Sequence, residues 1–119
     1  MTTSLPPAIA ANLNATNRGN SKDFLAAFLD DAIVIDVERE FRGIPAIKAW
    51  SDREVLNDNV SIEVRDVREH YGDYIVVTKV DGDFDKTNLP DPLLITMHFT
   101  LRNDKIAKLI CLQMKPSGT

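Results

Sequence analysis

Phe24–Trp50, FLAAFLDDAIVIDVEREFRGIPAIKAW, is the stretch whose reading decides the fold. It reads as the end of an amphipathic helix, an acidic break at Asp30-Asp31, a β-branched strand over Ala32–Val37 and a Gly43-x-Pro45 start to another helix. One carboxylate, Asp36, ends the apolar run Ala32-Ile33-Val34-Ile35. Side chains alternate along a strand, so Asp36 shares a face with Ala32 and Val34. If that face packs inward, it carries the acid with it. A carboxylate carried inward must be paired, hydrated or chemically useful. In an apolar surround it becomes a usable general base. Otherwise it is solvated, or paired with Arg39 or Arg42.

Upstream, residues 1–5 read as a loose tail. Pro6-Pro7 suits the first turn of a helix that runs to about Asn17 with Ile9, Leu13 and Thr16 on its apolar side. Arg18-Gly19-Asn20 breaks it, and Ser21 is placed to cap a second helix whose face is Phe24, Leu25, Phe28 and Leu29. Downstream of the opening stretch, Pro45, Ile47 and Trp50 imply a third helix to about Leu56.

From Val60 the period becomes two: Val60, Ile62 and Val64 alternate with Ser61, Glu63 and Arg65. A turn at His70–Asp73 leads into Tyr74–Val80, and a loop follows over Asp81–Pro92. Strands over Leu93–Arg102 and Ile106–Met114 are joined by a tight turn at Asn103-Asp104, and 115–119 reads as a tail. Three helices with one early strand, then four antiparallel strands, form a single α+β domain. Its twisted sheet wraps the helices on one face, with the natural pocket between them.

The bulk numbers restrict function. The chain has 119 residues, 44% hydrophobic and 27% charged, with 14 Lys and Arg against 18 Asp and Glu, a net charge of −4. A mildly acidic domain suits neither nucleic acid nor an anionic membrane surface. No apolar run approaches the ~20 residues that span a bilayer. MTTSLPPAIAAN lacks the basic start and apolar segment of a signal peptide, and Cys111 has no cysteine partner, so a cytoplasmic protein is expected.

No metal site is expected. His70 and His98 are not at ligand spacing, and His98 falls on the face of its strand opposite Met97 and Phe99. Asp81-x-Asp83-x-Asp85 opens like a calcium loop but has Lys86 where the sharp turn needs Gly and Pro92 where the loop needs Glu, so it reads as an acidic turn. There is no Gly-rich phosphate loop and no Gly-x-Ser-x-Gly elbow.

Phe28-Leu29-Asp30-Asp31-Ala32, Asp36, Phe41-Arg42-Gly43 with Ile47 and Trp50, Val80–Phe84, His98–Leu101 and Asp104-Lys105-Ile106 together resemble the nuclear transport factor 2-like superfamily, which includes ketosteroid isomerases and SnoaL-like polyketide cyclases. The resemblance covers nearly the whole chain. It implies a cone formed by a curved antiparallel sheet around an apolar cavity, and a homodimer through the outer sheet face, where Thr96, His98 and Thr100 lie. It places Asp36 on the general-base aspartate of ketosteroid isomerase. The tyrosine and protonated aspartate of that enzyme's oxyanion hole fall near Asn12 and Met97, neither of which is an acid.

The expected pocket is Asn12, Phe28, Val34, Trp50, Tyr74, Met97 and Phe99. The expected function is binding of a small apolar molecule, with cofactor-free isomerase, cyclase or lyase chemistry by Asp36 on a carbonyl-type substrate. The alternative is a non-catalytic ligand-binding or dimeric protein-interaction module, since this scaffold carries all of these.

Overall fold

The computed structural model describes residues 4–114. Apart from Ser4 and Leu5, the tails expected at 1–5 and 115–119 lie outside the described residues. The elements in chain order are α1 (Pro7–Arg18), α2 (Ser21–Ala26), β1 (Phe28–Asp36), β2 (Arg39–Arg42), α3 (Gly43–Ser51), a π-helical turn (Asp52–Leu56), β3 (Ser61–His70), β4 (Asp73–Asp81), β5 (Leu94–Arg102) and β6 (Lys105–Gln113).

Local chemistry accounts for most of the boundaries. Pro7 opens α1, where its missing N–H would have no partner in any case. Gly19 closes it in the left-handed region (φ 67°), with the Gly19 N–H donating to the Thr16 carbonyl and the Asn20 N–H to the Ala15 carbonyl. The cap of α2 is Asn20 and not Ser21: the Asn20 side chain accepts from the Asp23 N–H at 3.0 Å. The Ser21 hydroxyl instead donates to Asp52 at 3.1 Å and ties α2 to the π-helical turn. At Asn103-Asp104 both residues have positive φ (53° and 63°), as the tight β5–β6 hairpin expected there requires.

Three features differ from the sequence reading. Phe28 and Leu29 belong to β1, not to the second helix. Phe28 pairs with Ile106, the Ile106 N–H donates to the Ala27 carbonyl at 2.9 Å, and this pairing outweighs a six-residue helix's propensity to continue. Asp30 and Asp31 lie in an irregular part of β1 between the paired positions Phe28 and Ile33, so the acidic break interrupts a ladder, not a helix end. Val37, in the left-handed region (φ 61°), begins a two-residue turn into the short strand β2, which the polar run Glu38-Arg39-Glu40 had concealed.

The sheet order is β2-β1-β6-β5-β4-β3. All neighbours are antiparallel except β1 and β6, which run parallel and join the early strand to the late meander. The result is the expected α+β architecture: a curved, open six-stranded sheet with three helices on one face. Ala32 and Val34 of β1, Val76 of β4, Phe99 of β5 and Leu109 of β6 turn inward and meet Ile9, Leu13, Phe24, Ile47 and Trp50 of the helices. Fully burying each large apolar side chain contributes on the order of 1.5–3 kcal/mol.

Candidate functional site

Between helices and sheet lies a cavity of about 280 Å³. Its apolar wall includes Phe24 of α2, Trp50 of α3 and the inner-face residues Ile62, Val80, Ile95 and Met97 of β3–β5. Its polar lining is Asn12, Thr16, Asp36, Glu54 and Asp58, with Cys111 beside Asp36. The volume lies at the lower edge of the ~300–1,000 Å³ typical of ligand pockets, and the largely apolar wall with a few polar groups is their usual composition.

Of the eight residues anticipated as a site, Asn12, Asp36, Trp50 and Met97 line this cavity. Phe28, Val34 and Phe99 do not. They are buried in the core. Tyr74 also lies outside the lining. It pairs with Phe99 near the β3–β4 turn and is half-buried against the core. Cavity residues that sequence reasoning missed are Thr16, Phe24, Glu54, Asp58, Phe84 and Cys111. For Ile62, Val80 and Ile95 a signal existed in the period-two alternation. Phe84 and Asp58 come from loops and gave none.

Asp36 follows the parity of its strand. Ala32 and Val34 are fully buried, and the Asp36 side chain on the same face is 24% exposed. It is paired with Arg39, as one of the two sequence readings allowed: Arg39 Nη2 donates to Asp36 Oδ2 at 2.5 Å. The Trp50 indole N–H donates to the same oxygen at 3.3 Å. No donor among the described residues bonds Oδ1. Both fixed interactions thus hold one oxygen of the carboxylate and leave the other open.

Arg39 is itself held. Its Nη1 and Nη2 donate to the two carboxylate oxygens of Glu54 at 2.8 and 2.7 Å, the bidentate geometry that a planar guanidinium favours. This pairing first, and Asp36 second, raise the Arg39 pKa, while partial burial works against them. The Arg39 hydrogen bonds in turn hold the Glu54 carboxyl below its ordinary range, aided by Arg53 and opposed by desolvation. Glu54 sits in the π-helical turn, where the Asn57 N–H reaches the Asp52 carbonyl at 3.1 Å, five residues back. Such turns recur at functional sites because they shift side chains out of helical register.

The guanidinium also lies 5.6 Å from the Phe41 ring centroid, and Phe41 stacks on Trp50 at 5.7 Å. Asp36, Arg39, Phe41 and Trp50 therefore form a closed ring of contacts at the cavity wall. Cys111 pairs with Asp36 across the parallel β1–β6 ladder. Burial, and secondarily the Asp36 charge, push its thiol up to about 12, so it is a neutral, inert wall residue.

At the far side, Asn12 is buried and donates its amide N–H to the Phe24 carbonyl at 3.1 Å. A loop brings Phe84 over the cavity. The loop is seated by the Asp83 N–H on the Asp58 carbonyl (2.6 Å) and by the Asn59 amide on the Asp83 carboxylate (2.7 Å).

The architecture is that of the nuclear transport factor 2-like proteins, the superfamily that the sequence resembles. Similar solved structures include a candidate polyketide cyclase from Sinorhizobium meliloti (TM-score 0.81, 23% identity, covering 91% of this chain and 95% of that one). An NTF2-like protein of unknown function from Cytophaga hutchinsonii matches at TM-score 0.74 and 10% identity over 96% and 95% of the two chains. A candidate ketosteroid isomerase from Kribbella flavida matches at 0.77 and 7% over 96% and 80%. At these identities the likeness is one of fold. No protein-family model and no curated protein matches the chain. No helix among the described residues is long and apolar enough to cross a membrane.

Proposed function

We propose that this domain binds a small, mostly apolar molecule in its cavity and acts on it by proton transfer, as a cofactor-free isomerase, cyclase or lyase with Asp36 as general base. The observation that carries the reading is the Asp36 carboxylate: it lines an apolar cavity, Arg39 and Trp50 hold it by one oxygen, and the other is left to take a proton. Fixing the base and excluding water are what such catalysis needs. Ketosteroid isomerisation itself is not proposed, because Asn12 and Met97 stand where that reaction needs two acidic donors. The substrate class under this reading is a small carbonyl compound with an enolisable C–H bond.

The test is solvent-deuterium exchange into small ketones and lactones. The wild type should exchange the activated C–H, and Asp36→Asn should lower that rate by ~10²–10⁴-fold, the usual worth of a general base. Equal exchange by both proteins would contradict the assignment.

One observation favours the second reading, a non-catalytic binder: the ion pair that holds Asp36 gives it a structural role. In that case Asp36→Asn lowers stability and shifts ligand affinity a few-fold, with no catalysed exchange to lose. Either reading is compatible with two copies pairing through the outer sheet face. There Ile35, Ile110, His98 and Ile75 form one cross-strand row, and Leu112, Thr96 and Val77 form the next. Such a patch suits an isologous contact. Sedimentation of the native chain tests it, with a monomer at all concentrations as the contrary result.

A further inference from the structure

The free polar atoms of the cavity are almost all acceptors. Three donor groups in the wall each bond within the protein: the Trp50 indole to Asp36, one N–H of the Asn12 amide to the Phe24 carbonyl, and the Thr16 hydroxyl to the Asn12 carbonyl at 3.0 Å. This leaves the second Asn12 N–H as the one further amide donor. Glu54 already accepts three hydrogen bonds from Arg39 and Arg53. Asp36 Oδ1 and Asn12 Oδ1 accept no hydrogen bond among the described residues. No buried polar side-chain atom there is without a partner, so the Asn12 amide oxygen is open to the cavity that the residue lines, although the residue is 2% exposed. Its orientation is fixed, since a flipped amide would set two oxygens against each other at Phe24. Asp58 adds a further acidic residue to the lining, and among the described residues no Lys, Arg or His lines the cavity.

We infer that the cavity takes an apolar amine, bound as its ammonium ion, and rejects the isosteric carboxylate. A protonated nitrogen brings only donors, which match the two open acceptor oxygens. It also suits the open oxygen of the Arg39-paired Asp36 carboxylate, the nearby Asp58 and the faces of Phe24, Trp50 and Phe84. A carboxylate brings only acceptors, meets Asp36 with like charge, and exchanges its hydration for at most one Asn12 N–H. The inference rests on the binding half of the reading above and applies to substrate and bound ligand alike.

The experiment uses three probes on one skeleton: cyclohexylmethylamine, cyclohexylmethanol and cyclohexanecarboxylate, each titrated near neutral pH into the native chain. The readout is the fluorescence and indole N–H resonance of Trp50, the single tryptophan. The amine should bind at least about tenfold tighter than the carboxylate, the worth of one charge-assisted hydrogen bond at a partly exposed site, and tighter than the alcohol. Asp36→Asn should narrow the gap between amine and carboxylate. The wild-type ranking decides the matter even if that variant misfolds. Carboxylate binding as tight as amine binding overturns the inference and leaves the cavity reading intact, as does alcohol binding that the amine fails to exceed. If none of the three disturbs Trp50, the binding reading falls as well.

Discussion

Trp50 Nε1 lies 3.3 Å from Asp36 Oδ2, so the last inward residue of β1 and the inner face of α3 are joined by a hydrogen bond to a charge. The indole ring is buried and stacks on Phe41, which lies under the Arg39 guanidinium. Trp50→Phe keeps an aromatic ring there but removes the donor. It should destabilise the fold by about 1–3 kcal/mol, read as a lower urea midpoint with an unchanged slope. A change below about 0.5 kcal/mol would mean that the bond is not made in solution.

Much of this arrangement was legible in the sequence. The alternation of Ala32, Val34 and Asp36 against Ile33 and Ile35 puts Asp36 on the face of Ala32 and Val34, because strand parity is a backbone property, and that face is the one that turns inward. The sequence leaves its state open between a usable base, a solvated carboxylate and a pair with Arg39 or Arg42. Arg39 is the partner because the turn at Val37-Glu38 folds β2 back so that Asp36 and Arg39 face each other across the ladder. Glu54 as the clamp on Arg39 was not legible. It depends on a π-helical turn that moves the residue off the register an α-helix would give. The parallel β1–β6 pairing, which sets Cys111 beside Asp36, joins segments some 75 positions apart and leaves no local signal. Phe28 and Phe99 were expected in the pocket because they are large and inward, but they fill the core while the cavity opens further along the sheet.

Arg39 predicts an acid-side effect. Glu54 is held below its ordinary value of 4.5 chiefly by Arg39. Folding therefore gains from its ionisation above that pH, and the gain is lost as pH falls through the lower folded value. Arg39→Ala should start acid unfolding at a higher pH and cost about 1 kcal/mol near neutrality, a modest figure because the Arg39 side chain is half exposed. Arg39→Lys should recover only part of this, since an ammonium cannot make the two-pronged contact. Superimposable acid-unfolding curves for the three proteins would contradict the clamp.

Cys111 predicts the alkaline side. Its thiol is pushed from an ordinary 9.0 to about 12 in the folded chain. The unfolded chain then loses this proton first, so stability should fall as pH rises above 9, with a slope approaching ~1.4 kcal/mol per pH unit. Cys111→Ala should remove that slope. The native thiol should also resist an aromatic disulfide reagent at pH 8 and react promptly in denaturant. Fast labelling of the native chain would show the wall to be open there.

Gly82 predicts how tightly the Phe84 loop is seated. A Cβ at this position would meet the Asp58 carbonyl at 2.9 Å and the Phe84 ring at 3.0 Å. Asp58 is the acceptor for the Asp83 N–H, so the backbone there has little freedom to yield. Gly82→Ala should lift the loop at a cost of about 1–3 kcal/mol and weaken any ligand that touches Phe84. Unchanged stability and affinity would show the loop to be already displaced in solution.

The most direct test of the central claim is the indole N–H resonance of Trp50, a single peak because the chain has one tryptophan. If Asp36 and Trp50 share a hydrogen bond at the wall of a ligand-binding cavity, Asp36→Asn should move this peak upfield in the folded protein. Titration of the wild type with small apolar amines and ketones should move it along a saturable curve for at least one of them. A peak that neither the substitution nor any ligand disturbs would contradict both the bond and the site.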